Sequence, residues 1–295
     1  MENLTPAPLI PVLSSRPARW LASLALLAMA LAMTVPVYGG WLGDHNRGFR
    51  FGFALLWGVL ALVAARVERL RRFSPVFLSL FGVSFGLALA YVVGTRPVHY
   101  FGLSVETPKG AAVDKIFGEV VPLCAAVLLA ALLGRRSIAS LGLRGGHPWQ
   151  SLMLGLLASL PVLALFVFDP SGGREAVSSA PPVVLRSWAP WIVLFSAANG
   201  FSEELWFRGL WLGGFKDTIG ASAAMHVTSL AFCLMHVIVY WGDPVAILML
   251  TPPWLFMGYA YAWIMRRTGS LWGPVLAHAI ADILFLFVAF STGKM

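Results

Sequence analysis

The stretch FSEELWFRGL, residues 201–210, sets Glu203, Glu204 and Arg208 in otherwise apolar surroundings. At helical spacing Glu204 and Arg208, four residues apart, meet on one face, while Glu203 points about 100° away. The arginine then neutralises one carboxylate and leaves the other free for chemistry. Asn199 lies four residues before Glu203, on its face. Two further pairs follow at the same spacing, Phe232 with His236 in FCLMH and His278 with Asp282 in HAIAD. A glutamate to deprotonate water, a histidine to hold it and donors for an oxyanion are the parts a hydrolase needs. Each group also has a plain structural reading: an interfacial ion pair, a hydrogen-bonded packing histidine, and a helical pair or proton relay. Three such groups within the last third of the chain favour function over coincidence.

The elements that must position these groups are membrane spans. The chain has 295 residues, 59% hydrophobic and 12% charged, with mean hydropathy +0.80, which excludes an ordinary soluble domain. An ionisable group at the centre of a membrane helix costs roughly 2.5 to 3.5 kcal/mol, so each one needs a partner or a purpose. Long apolar runs, rather than short alternating segments, indicate an all-α polytopic bundle and not an outer-membrane barrel. About twenty apolar residues cross a bilayer. On that ruler the bundle has about eight to nine helices, with spans predicted near 20–41, 49–65, 74–93, 118–133, 150–168, 188–207, 222–241, 245–265 and 271–290.

The first span reads as a retained anchor rather than a cleaved signal, because a long polar leader precedes its basic pair, Arg16 and Arg19. The net charge of +8 forms no stripe with interleaved aromatics, so nucleic acid is not a partner. The basic residues cluster instead in alternate loops, around 66–72, 135–144, 216 and 266–267, which puts the N-terminus in the cytoplasm. Lys109 and Lys115 fall in a predicted outer loop, 95–117, whose apolar pattern at Val113, Ile116 and Phe117 suggests a short interfacial helix. Residues 169–187, with DPSGG and SSAPP, read as a turn-rich linker. Cys124 and Cys233 lie within spans and are expected as free thiols.

The three motifs together resemble those of the CAAX protease and bacteriocin-processing (CPBP, or Abi) family. EELWFR resembles its EExxxR motif, FCLMH its FxxxH motif and HAIAD its HxxxN/D motif, in the same order, with GSLWGPVLAHAIAD similar to the segment around the last one. The resemblance covers about 140–290 and divides the chain into N-terminal spans without a motif, 1–135, and a core, 136–295. It implies an intramembrane glutamic endopeptidase without a cofactor, in which Glu203 activates water, His236 is its partner, His278 and Asp282 line the oxyanion side, and Glu204 and Arg208 support the site; Asn199 joins them as a supporting residue by its spacing alone. The archetypal prenyl protease has Asn where this chain has Asp282. That residue must either stay protonated in a low-dielectric pocket or orient His278.

The expected partners are the lipid bilayer and a membrane-anchored or lipidated protein cleaved near it, in an integral membrane protein of a bacterial inner membrane. Two other chemistries remain open. Glu203, His236 and His278 could ligate zinc as a membrane metalloprotease, although HExxH is missing. A proton-coupled transporter could use the same groups as a relay, but no inverted repeat is visible. A non-catalytic immunity or binding scaffold would have no physical need for all these residues.

Overall fold

The computed structural model describes residue 13 and residues 15–168 and 173–293. The rest of the polar leader ahead of Arg16, residues 1–12 and 14, and the DPSG part of the 169–187 linker lie outside them. All secondary structure among the described residues is helical, and eight helices are long and apolar enough to cross a membrane. In chain order the first are α1 (Arg16–Tyr38), α2 (Asn46–Arg66), α3 (Ser74–Val93), α4 (Pro108–Leu133) and α5 (Pro148–Val167). Then come α6 (Pro182–Glu204), α7 (Gly213–Ile219), α8 (Ala221–Val237), α9 (Pro244–Thr268) and α10 (Trp272–Thr292).

α6 is not among those eight, although the sequence predicts a span at 188–207. It is 23 residues long, but Arg186, Asn199, Glu203 and Glu204 lower its hydropathy. Three of those four, Asn199, Glu203 and Glu204, belong to the candidate site. A second difference concerns the loop before α4. Thr107 caps this helix by accepting a hydrogen bond from Gly110 N–H at 3.1 Å, so α4 begins ten residues before the predicted 118. Lys109 and Lys115 therefore sit on the helix and not in an outer loop. The loop keeps one short helix, Arg96–Tyr100. The linker is also partly helical, at Gly173–Ser179 and from Pro182 onward.

Two π-helical segments interrupt the regular winding. One lies inside α4, at Asp114–Val120; the other, Leu205–Leu212, joins α6 to α7. The second is wholly buried. Trp206, Phe207 and Trp211 pack there edge to face or stacked, with Phe215 and Phe232 against them. The wider turn leaves backbone groups for outside partners. Leu210 C=O accepts from Ser79 Oγ at 3.3 Å and from Arg136 at 2.9 Å, and Trp211 Nε1 donates to Ser79 C=O at 3.1 Å. The N-terminal spans thus clamp the helix that carries the glutamates.

Glycines set two close crossings around the site. A Cβ on Gly200 of α6 would lie 3.2 Å from Val275 C=O and 3.3 Å from the His278 Cβ on α10. One on Gly258 of α9 would lie 2.8 Å from Ser229 C=O on α8. The small residues let backbones approach where the bilayer itself gives no hydrophobic drive between helices. Cys124 and Cys233 are free thiols, the second buried.

Candidate active site

Three helices bring the predicted residues together. α6 supplies Asn199, Glu203 and Glu204, with Arg208 on the π segment after it; α8 supplies His236; α10 supplies His278 and Asp282. Glu204, Arg208 and His278 are buried at 0%, 1% and 0% exposure. Arg208 is held there by contacts on several sides, although its Nε is buried without a hydrogen-bond partner. Its guanidinium bonds Glu204 Oε1 at 2.8 Å and Gly258 C=O at 3.1 Å, and it stands 4.4 Å over the Phe232 ring and 5.4 Å over Tyr261.

Glu204 does more than neutralise the arginine. Its Oε1 lies 2.9 Å from His278 Nδ1, and a carboxylate bonded to Arg208 accepts, so Nδ1 carries a hydrogen. Glu204, rather than Asp282, therefore orients His278. Asp282 Oδ1 is 3.7 Å from His278 Nε2, beyond hydrogen-bond reach, while its Oδ2 accepts from Asn199 Nδ2 at 2.8 Å. Of the two roles open to Asp282, orienting His278 is thus taken by another residue.

His236 is fixed in the same manner. Its Nδ1 lies 2.8 Å from the backbone carbonyl of Phe232, which can only accept, so that nitrogen is the donor. The ring stacks on Trp254 with centroids 4.2 Å apart. Its Nε2, the other ring nitrogen, lies 3.3 Å from Glu203 Oε2. Glu203 Oε2 is buried without a hydrogen-bond partner, and so is His278 Nε2, 4.0 Å from it. The three atoms converge on one point. A proton on either imidazole, a water or a cation could satisfy the buried carboxylate oxygen there.

The same three atoms satisfy the spacing of a metal site: one ligand atom each from Glu203, His236 and His278, all within 4.8 Å of one another. Both imidazoles give their other N–H to a carbonyl or a carboxylate, the usual second support of a metal-ligating histidine. The donor set of one carboxylate and two imidazoles fits zinc.

Several contributors were not singled out from the motifs. Lys115 and Glu119, four apart on α4, form an ion pair at 2.8 Å with side chains 14% and 26% exposed. The Lys115 ammonium lies 5.8 Å from the Phe195 ring, one turn before Asn199 on α6. The signal was present in the KIFGE spacing, but the predicted boundary at 117/118 cut through it and left Lys115 in a stretch read as loop. Trp254 and Tyr261 carry no motif that would mark them.

Residues 185–284 match the family model described as Rce1-like, type II CAAX prenyl endopeptidase. No curated protein and no solved structure matches the chain. The matched segment holds all three motifs but starts well inside the stretch, about 140–290, over which the motifs suggested a resemblance. Over that segment, about a third of the chain, the sequence is similar to the Rce1-like, type II CAAX prenyl endopeptidase family.

Proposed function

We propose that this protein is an intramembrane endopeptidase that hydrolyses a peptide bond of a membrane-anchored or lipidated protein, with Glu203 activating the water. The observation that carries this reading is the pairing of Glu203 Oε2 with His236 Nε2, 3.3 Å apart. A water resting on them donates one hydrogen to each, which aims its lone pair away from both. Glu203 takes a proton as the water oxygen attacks the carbonyl carbon of the substrate. The C–N bond then breaks, and Glu203 returns the proton to the departing amine. The developing oxyanion faces His278, Asp282 and Asn199. His278 donates from Nε2 when it carries both protons, Asp282 when protonated, and Asn199 always. The family match supports a protease of the CAAX type acting on a protein substrate in the membrane.

The convergence of three ligand atoms favours a second reading, a zinc-dependent protease using Glu203, His236 and His278. Zinc would supply Lewis-acid polarisation and a water of lowered pKa. Glu203 would then be a ligand, and another carboxylate would have to serve as base. The experiment that tests both compares the lengths of membrane proteins in cells carrying wild type or Glu203→Gln, and measures metal bound to the purified protein before and after chelation. Substrates that stay uncleaved only in the variant, with no stoichiometric metal, fit the glutamate reading; stoichiometric zinc lost together with activity fits the other.

A further inference from the structure

A cavity of about 390 Å³ opens between the starts of α3 and α7 and the end of α4. Its charged lining is Arg135, Arg136, Lys216 and Asp217, three cations against one acid. Arg136 is engaged, donating to the carbonyls of Leu210, Gly209 and Ser140 at 2.9, 3.0 and 3.2 Å. Arg135 and Lys216 are exposed. Neither side chain has a hydrogen-bond or ion-pair partner among the described residues.

The backbone at Arg135 is unusual in the same direction. Arg135 N–H bonds Leu132 C=O and Arg136 N–H bonds Ala131 C=O, the paired closure of a Schellman turn at the end of α4. Arg135 thus occupies the position that favours glycine, with φ +53°, the sole non-glycine residue of positive φ among those described. A side chain kept where glycine would be easier indicates a use for its charge.

Beside this cavity runs an apolar groove of about 570 Å³ between α2 and α3, with Leu78 lining both. Along α2 the groove extends from Phe51 to Ala65, 14 residues at 1.5 Å each, or about 21 Å. That is the reach of an extended fatty acyl chain. The end at Ala65, Ser74 and Leu133 is the end that meets the cations.

We propose that cavity and groove together hold one anionic phospholipid, its phosphate between Arg135 and Lys216 and an acyl chain laid along α2 and α3. The charge at one end and the apolar length from it match the two parts of that molecule. Basic pockets between spans at one membrane surface recognise such headgroups.

The test uses the full-length protein in detergent, with thermal unfolding and lipid retention measured against phosphatidylglycerol, phosphatidylcholine of the same chains, and inorganic phosphate. The variant is Arg135→Gly with Lys216→Gln; glycine relieves the backbone, so loss of binding cannot come from strain at that turn. Wild type is expected to retain phosphatidylglycerol over phosphatidylcholine, and the double variant to bind the anionic lipid about 30-fold more weakly. Equal retention of the two lipids by wild type, or an undiminished preference in the variant, would overturn the proposal. A shift reproduced in full by inorganic phosphate would overturn it too, by reducing the site to an adventitious ion only.

Discussion

At the scale of single residues the informative fact is which nitrogen of each histidine is already committed. Phe232 C=O takes the Nδ1 hydrogen of His236 and Glu204 that of His278, so both Nε2 atoms turn toward Glu203. The motifs predicted who meets; they did not predict that Glu204 orients His278, because a carboxylate already claimed by Arg208 four residues on looked fully used. A carboxylate oxygen has more than one acceptor position. Asp282, the departure from the family archetype, accepts from Asn199. Asparagine can keep that bond through its own carbonyl oxygen and add a permanent donor. Asp282→Asn is therefore expected to retain cleavage, whereas Asp282→Leu, which leaves the Asn199 amide unpaired, should lose about tenfold or more. Rates of cleavage of a membrane-anchored reporter by the two variants check this; an inactive Asn variant contradicts the donor role.

At the scale of elements, the π segment Leu205–Leu212 holds the site by burying Arg208 among Glu204, Gly258 C=O and three aromatic rings. Removing one partner of a fully buried ion pair typically costs about 3 to 5 kcal/mol, because the other charge is stranded. Glu204→Gln should thus lower the unfolding temperature and the yield markedly. The double substitution Glu204→Gln with Arg208→Met should recover part of that loss, since two neutral groups strand nothing. Thermal unfolding of the three proteins decides it, and a double variant worse than the sum of its parts would contradict the account. Helical spacing alone made the Glu204–Arg208 contact legible. The π winding was not legible, because it depends on outside partners, Ser79 and Arg136, for the carbonyls it frees. The span limits failed where polar residues enter a helix: α4 starts early, with Lys115 and Glu119 inside it, and α6 looks too polar to cross.

At the scale of the whole molecule, spans outside the matched segment 185–284 reach the site. α4 sets the Lys115–Glu119 pair against Phe195, and α1 stacks Tyr38 on Trp206 with centroids 6.4 Å apart. Apolar pattern named these spans as membrane helices and could say no more, since the partner of a buried charge is a tertiary fact. If the Lys115 charge serves the carboxylates of the site, Lys115→Met should slow cleavage about tenfold while Glu119→Gln does so less, although both break the same ion pair. Equal effects would reduce Lys115 to a structural role. The central claim is that Glu203 is the base in peptide hydrolysis. Its most direct test is cleavage of a membrane-anchored substrate by purified protein in lipid vesicles, wild type against Glu203→Gln, each with and without a zinc chelator. The account predicts a loss of about 10² to 10⁴-fold in the variant, at unchanged thermal stability, and wild-type cleavage indifferent to the chelator. Cleavage by Glu203→Gln at the wild-type rate would contradict it.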